Sequence, residues 1–132
     1  MIKKLVILPT YNESKNIINI IDMLLKLDID LDILVIDDNS PDNTAQIVKK
    51  YNSDKVFIEE RAEKNGLGTA YVHGFNWALK NKYDKIIQMD ADLSHDPKEV
   101  PDMFDLLDNY DLVIGSRYNN GLRVINLSLI HI

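Results

Sequence analysis

Cysteine is absent from the chain, and its absence excludes disulfide bonds and zinc sites built on thiolates. Long apolar runs are also missing, because none approaches the roughly 18 residues of a membrane-spanning helix. The apolar stretch before Pro9 has about five residues, fewer than the roughly 7–15 in the core of a signal peptide. We therefore expect a protein of the cytoplasm, where thiols stay reduced.

Positive charge is scarce as well. The 15 lysines and arginines are outnumbered by 21 aspartates and glutamates, which gives a formal net charge of -6 at pH 7. No cluster of basic residues is long enough to form the basic face of a nucleic-acid-binding protein, so that class is excluded. The 132 residues, 45% of them hydrophobic, suffice for a single globular domain spanning 1–132.

Apolar runs and helical spacings alternate along the chain. Five short apolar runs are typical of buried strands, at 3–9, 31–37, 55–60, 84–90 and 111–116. Between them, apolar residues at spacings of three and four predict helices near 13–27, 42–51, 70–79 and 97–107. The third of these would carry on one face Ala70, Tyr71, Phe75, Ala78 and Leu79. The alternation predicts an α/β fold, with a parallel sheet and helices on both faces.

Polar segments follow each predicted strand. In a parallel α/β sheet, ligands bind beyond the carboxyl ends of the strands, where the strand order reverses. The segments at those positions read PTYNE, DDNSPD, RAEKNGLG, DADLSHD and GSRYNNG. All are rich in groups that bind phosphate, base or metal, so we expect a functional site built from these loops.

Asp90 and Asp92 lie two residues apart at the end of the fourth strand. Carboxylates at this spacing can share a hard cation such as Mg²⁺ or Mn²⁺, which prefers oxygen ligands. The alternative is a solvated turn whose aspartates cap the next helix, a role that we expect of Asp96 before Pro97. The position at the mouth of a parallel sheet favours the metal.

Asp37 and Asp38 end the second strand, where an acidic side chain can accept hydrogen bonds from a base or a ribose. Alternatively, the segment is a turn and helix cap, which Asn39, Ser40 and Asp42 can supply by themselves. One of the two leading aspartates is then surplus, which favours a ligand-binding role.

The remaining polar segments carry weaker signals. Gly66 and Gly68 precede a helix as in a phosphate cradle, but they lack the Rossmann spacing and the Walker lysine, so a simple helix entry is favoured. Arg117 can brace a diphosphate or be an ordinary surface residue. His95 can orient one of the nearby aspartates, although a bystander role is favoured.

Taken together, five motifs resemble those of one family. LPTYNE, IDDNSPDNT, KNGLGTAY..GF, MDADLSHDP and VIGSRY..G, in this order and spacing, are similar to those of polyprenol-phosphate (dolichol-phosphate) mannosyltransferases. These are inverting family-two glycosyltransferases with the GT-A fold, a three-layer, Rossmann-like, mostly parallel sheet. The resemblance covers residues 3 to about 125. It implies metal-assisted transfer of mannose from GDP-mannose to a polyprenyl (dolichyl) monophosphate, with Mg²⁺ or Mn²⁺ as the cofactor.

The resemblance also implies roles for individual residues. Those expected to bind the nucleotide sugar are Pro9, Tyr11, Glu13, Ile36, Asp37, Asp38, Asp90, Ala91 and Arg117. Within that set, Ile36 and Asp38, with Asp37 as a second candidate, would read the base. Asp90 and Asp92 would hold the metal against the diphosphate, and Arg117 would neutralise the charge that develops on the leaving GDP.

The carboxyl end departs from the family pattern. After GSRYNNGLRVIN such enzymes continue through a basic segment that grips the acceptor phosphate, whereas this chain continues LSLIHI. We therefore expect the amino-terminal, nucleotide-binding portion of the enzyme, which binds the donor but transfers poorly. Its apolar tail, 122–132, should pack on the core or self-associate. A lipid acceptor also implies peripheral contact with the cytoplasmic face of a membrane.

Two alternatives stay open, and a third is disfavoured. A UDP-glucose:polyprenyl-phosphate glucosyltransferase would have similar base-reading loops. A nucleotide-sugar-binding module without turnover fits the lack of an acceptor segment. A nucleotidyltransferase would need a basic, glycine-rich loop after the first strand, which PTYNESKN does not supply.

Overall fold

The computed structural model describes residues 2–62, 66–108, 112–116 and 121–125. The strands are β1 (Lys4–Thr10), β2 (Asp32–Asp37), β3 (Val56–Glu60), β4 (Lys85–Gln88), β5 (Leu112–Ser116) and β6 (Gly121–Ile125). The helices are α1 (Ile17–Leu25), α2 (Thr44–Lys49), α3 (Leu67–Lys80) and α4 (Val100–Leu106), the last preceded by a 3₁₀ turn (Pro97–Glu99). All four predicted helices are therefore present, each shorter or longer than predicted by a few residues at its ends.

Four strands form one parallel sheet in the order β3-β2-β1-β4. The chain runs outward from β1 to β2 and β3 and then returns to the other side of β1 for β4. At one edge the register aligns Thr10 with Asp37 and Asp37 with Glu60. The strand order reverses between β1 and β4, so the crevice predicted for ligands lies there. The α/β fold with a mostly parallel sheet is confirmed.

Both faces of the sheet are covered by helices. Along β1, Val6 and Leu8 pack with α1, α2 and α4, whereas Leu5 and Ile7 pack with α3. All four side chains are fully buried. Continuous apolar runs such as this one are expected where a strand is buried on both sides. The three-layer architecture is thereby confirmed.

Helix α3 lies directly on the sheet at a glycine. A Cβ added to Gly74 would lie 2.8 Å from Ile36 Cδ1 and 3.0 Å from two side-chain carbons of Ile7. The buried stripe of the helix is centred on this glycine, with Ala70 and Ala78 one turn away on either side. Leu79, predicted on the same face, is 68% exposed. It lies roughly 140° around the helix axis from Gly74, at 3.6 residues per turn, so that part of the prediction is wrong.

The fifth predicted strand pairs differently from the first four. Within the described ranges, β5 pairs antiparallel with β6 in a separate two-stranded sheet. Only residues 117–120 separate the two strands, and a parallel pair would need a crossover of a dozen or more residues. The sequence interpretation missed β6. The prediction for the tail concerns side chains of 122–125 and residues 126–132, which lie outside the described part.

No helix in the described ranges is long and apolar enough to cross a membrane.

Candidate functional site

A cleft opens at the carboxyl edge of the sheet, beside the reversal of strand order. Its volume is about 290 Å³, at the lower end of the usual range of small-molecule sites. It is lined by Pro9, Thr10, Tyr11, Glu13, Asp38, Gly66, Ala70, Asp90, Ala91 and Asp92. Four of the five polar segments predicted to meet at this edge are represented among them. The fifth lies largely outside the described residues.

Hydrogen bonds to the neighbouring loop hold the segment after β1. Glu13 N–H donates to Thr44 Oγ1 over 3.1 Å, and Ser14 N–H donates to Asp42 Oδ2 over 3.0 Å. Tyr11, just before them, leaves 39% of its surface exposed at the cleft. An exposed aromatic ring on a fixed loop is suited to packing against a flat ligand such as a base.

The entry to α2 is held by Asp42. Of Asn39, Ser40 and Asp42, the three residues that could supply a turn and helix cap there, it is Asp42 whose carboxylate accepts the N–H and the hydroxyl of Thr44. Ser40 Oγ instead donates to Asp37. Asp42 therefore serves the helix entry and the loop after β1 at once.

Two residues predicted for base recognition lie beneath the cleft. The Asp37 side chain is 1% exposed and accepts from Thr10 Oγ1 at 2.7 Å, Ser40 N at 3.0 Å and Ser40 Oγ at 2.6 Å. Ile36 is fully buried against α3. Neither lines the described cleft, so their contact with a base stays a prediction. Their observed contacts fix the ends of β1 and β2.

Asp38, in contrast, lines the cleft and is paired with an arginine that sequence reasoning missed. Arg61 Nε and Nη2 donate to the two carboxylate oxygens of Asp38 over 2.6 and 2.7 Å. Both side chains are largely buried, 11% and 8% exposed. The hydrogen bonds to Asp38 raise the pKa of Arg61 above its ordinary value despite burial. The signal that could have found it is its place at the start of RAEKNGLG, directly after β3.

Asp90 is positioned by two side chains from different elements. Tyr71 on α3 donates its hydroxyl to Asp90 Oδ1 over 3.3 Å. Burial, the charge of Asp90 and this hydrogen bond raise the pKa of Tyr71 to about 12, so the phenol stays a donor at neutral pH. Asp90 N–H in turn donates to His95 Nδ1 over 3.3 Å. His95 therefore does orient Asp90, through its backbone.

Asp92 is exposed and shares the turn with the buried Ala91. Its Oδ1 accepts the N–H of Ser94 over 2.9 Å. Asp96 caps the following 3₁₀ turn through Lys98 N–H at 2.9 Å, with Pro97 in the first position, as predicted. Because Asp96 supplies the cap, helix capping does not explain the presence of Asp90 and Asp92.

The charges in this cleft suit a cation. Glu13, Asp38, Asp90 and Asp92 line it, and its described lining holds no lysine, arginine or histidine. Oxygen-only donors match Mg²⁺ or Mn²⁺. Within the described ranges, no group of three or more acidic, histidine or cysteine ligands is assembled. A cation held by two carboxylates would complete its shell with waters and substrate phosphates, the usual arrangement for Mg²⁺. The residues present therefore fit such an ion.

The predicted residues thus divide into three groups. The cleft brings together Pro9, Tyr11, Glu13, Asp38, Asp90, Ala91 and Asp92. Ile36 and Asp37 lie beneath it. Arg117 lies outside the described residues, so its predicted place beside a diphosphate stays a prediction.

Curated relatives share this sequence over nearly its whole length. The chain is 41% identical over 128 residues to a polyprenol monophosphomannose synthase of Mycolicibacterium smegmatis, covering 94% of this chain and 48% of the relative. It is 39% identical over 124 residues to an undecaprenyl-phosphate mannosyltransferase of Micrococcus luteus, covering 92% and 51%. The chain spans about half the length of these two relatives.

Solved structures share the fold. A Pyrobaculum calidifontis mannosyltransferase in complex with GDP-Man and Mn²⁺ aligns with a TM-score of 0.57 and 28% identity, over 68% of this chain and 27% of that one. S. aureus TarS 1-349 in complex with UDP-GlcNAc aligns with a TM-score of 0.59 and 29% identity, over 80% and 32%. Residues 5–128 match the pattern of glycosyl transferase family 2. On this match, the expected family and its GT-A-like fold are confirmed, and the chain belongs to glycosyl transferase family 2.

Proposed function

We propose that this chain forms the nucleotide-sugar-binding portion of an inverting enzyme that transfers mannose from GDP-mannose to a polyprenyl monophosphate. One observation carries the proposal. Asp38 and the pair Asp90 and Asp92 line a single cleft at the switch point of the sheet. The two curated relatives, named as mannosyltransferases or synthases acting on polyprenol or undecaprenyl phosphate, support this choice of sugar and acceptor.

The donor side follows from the charges of the cleft. The charge of Asp38 is balanced by Arg61, but a diphosphate that enters the cleft beside Glu13, Asp90 and Asp92 is repelled unless a cation lies between them. Asp90 and Asp92 would hold Mg²⁺ or Mn²⁺ there. When bound, the ion would stabilise the negative charge that develops on the leaving diphosphate. Tyr71 and His95 would keep Asp90 in place, and Arg117 would add positive charge at the leaving group.

The acceptor side needs little acid–base chemistry. A lipid monophosphate is already ionised at neutral pH, so its oxygen can attack the sugar without a strong general base. Direct attack from the face opposite the diphosphate inverts the configuration at the sugar carbon. A histidine acting as a base is unnecessary in this scheme, and His95 Nδ1 is engaged with the backbone of Asp90.

The acceptor is a lipid, so the active protein would work at a membrane surface, on the cytoplasmic face in our interpretation. The chain matches about half of each curated relative. We therefore assign the acceptor-binding groups to the portion of those proteins that this chain does not match. The residues that this chain shares with them would bind the donor.

A UDP-sugar donor is the second candidate, supported by the likeness to a structure that holds UDP-GlcNAc. Thermal unfolding with GDP-mannose or UDP-glucose, each with Mn²⁺, separates the two, because a ligand stabilises the folded state according to its affinity. We expect a larger increase in Tm with GDP-mannose. A larger increase with UDP-glucose would assign the glucosyltransferase instead. No increase with either would refute a nucleotide-sugar site in this chain.

A further inference from the structure

The ion pair between Asp38 and Arg61 lies where β2 and β3 end, with Asp38 lining the cleft and Arg61 behind it. Its two hydrogen bonds, 2.6 and 2.7 Å long, join the guanidinium edge to both carboxylate oxygens. Such a fork fixes the plane of the carboxylate as well as its distance, which a lysine cannot do. The conformation of Asp38 is therefore set before any ligand arrives.

Arg61 also connects three elements of the fold. Its backbone N–H donates to Asp37 O over 2.8 Å. Its Nη1 donates to Thr69 Oγ1 in the first turn of α3 over 3.0 Å, and Thr69 Oγ1 donates to Gly66 O over 2.8 Å. The ends of β2 and β3 and the start of α3 thus meet on one guanidinium. Of these residues, Asp38 and Gly66 line the cleft.

The fork leaves Asp38 able to bind a ligand. A carboxylate has about four lone-pair positions, and a bidentate arginine occupies two of them. One position on each oxygen stays open to N–H donors. Guanine presents two adjacent N–H donors on its pairing edge, whereas uracil presents one between two carbonyl groups. The two open positions point away from each other, so Asp38 can accept one N–H of either base. The fork fixes the direction of that hydrogen bond, and the fixed direction decides whether the groups beside the N–H fit the wall of the cleft.

We infer that Arg61 is a positioning residue for base recognition, because it fixes the Asp38 carboxylate and the start of α3 in the arrangement that discriminates between nucleotides. The inference rests on the proposed function, since it assumes that the cleft takes a nucleoside diphosphate. Arg61 acts through Asp38 and does not itself line the described cleft. Its contribution would therefore appear as selectivity as well as affinity.

Titration of GDP and UDP, each with Mn²⁺, into wild type and Arg61→Lys tests the inference. The lysine keeps the charge and loses the fork. Hydrogen bonds to charged groups contribute enough that we expect about a tenfold loss of affinity for the preferred nucleotide. The weaker nucleotide should lose less, so the selectivity ratio falls toward one. Lys49→Ala is the matched control, because it removes the nearby but exposed Lys49–Glu60 pair and should leave both affinities unchanged.

Thr69→Val is a second variant for the same titration, and it tests the inference even if Arg61→Lys fails to fold. It removes one partner of the guanidinium at an exposed position, and we expect about a threefold loss of selectivity. Equal weakening of GDP and UDP in a folded variant would overturn the inference, since that is the result of general destabilisation. Unchanged affinities would overturn it as well. If wild type bound neither nucleotide, the proposed function itself would be refuted. That result differs from equal weakening and from unchanged affinities, which overturn only the role of Arg61.

Discussion

Two neighbouring aspartates show how far a residue's role depends on where its side chain points. Asp37 and Asp38 are identical in sequence terms, and the surplus of carboxylate at the end of β2 predicts that one of them serves a ligand. Asp37 turns into the fold and gathers three hydrogen bonds from Thr10 and Ser40. Asp38 turns into the cleft and meets Arg61. Residue type and sequence position therefore do not show which of the two aspartates is structural and which lines the cleft.

Replacing Asp37 by asparagine should lower the free energy of unfolding by about 2 kcal/mol. Three donors converge on two carboxylate oxygens, and an amide keeps only one of them, so a buried donor loses its acceptor. Urea unfolding measures the change. Asp92→Asn is the control, because the residue is exposed, its remaining oxygen can still accept from Ser94, and such substitutions stay within about 0.5 kcal/mol. Equal stabilities of the two variants would contradict the structural role of Asp37.

At the scale of elements, hydrophobic periodicity predicted each helix and strand of the parallel sheet. Helix α1 illustrates why, since Ile17, Ile20, Ile21 and Leu24 fall at helical spacing and are all fully buried. Hydrophobic periodicity did not predict β6. This strand follows β5 after only four residues and is defined by its antiparallel pairing with β5, which periodicity does not detect. Periodicity also misplaced Leu79, because an apolar residue in the last turn of a helix need not face the core.

The contact between α3 and the sheet depends on the missing side chain of Gly74. Gly74→Ala should lower the free energy of unfolding by about 1 kcal/mol or more, because the added Cβ would lie 2.8 Å from Ile36 Cδ1. This loss would exceed the gain of nearly 1 kcal/mol that alanine brings over glycine within a helix. Gly68→Ala, in the same helix with no atom within 4 Å of the added Cβ, should be neutral or slightly stabilising. Thermal unfolding compares them, and a stabilised Gly74→Ala would contradict the close packing.

At the scale of the whole molecule, the order of strands explains why remote segments form one cleft. Asp38 and Asp90 are far apart in sequence, yet both follow strands that flank β1, so a parallel sheet places them at one edge. That much is predictable from the alternation of strands and helices. The role of His95 beside Asp90 was raised from the sequence as the less favoured alternative. The Asp38–Arg61 fork and the contact of Tyr71 with Asp90 were not predictable, because they depend on side-chain directions that spacing does not determine.

We propose that Asp90 and Asp92 make the binding of the donor dependent on a metal. Calorimetric titration of GDP-mannose into wild type and Asp92→Asn, with Mn²⁺ and with a chelator, tests it most directly. Asp105→Asn, an exposed substitution on α4 outside the cleft, is the matched control. We expect wild type to bind GDP-mannose only with Mn²⁺, Asp92→Asn to lose this binding and Asp105→Asn to retain it. Equal binding in the presence of chelator, or by Asp92→Asn, would contradict the claim.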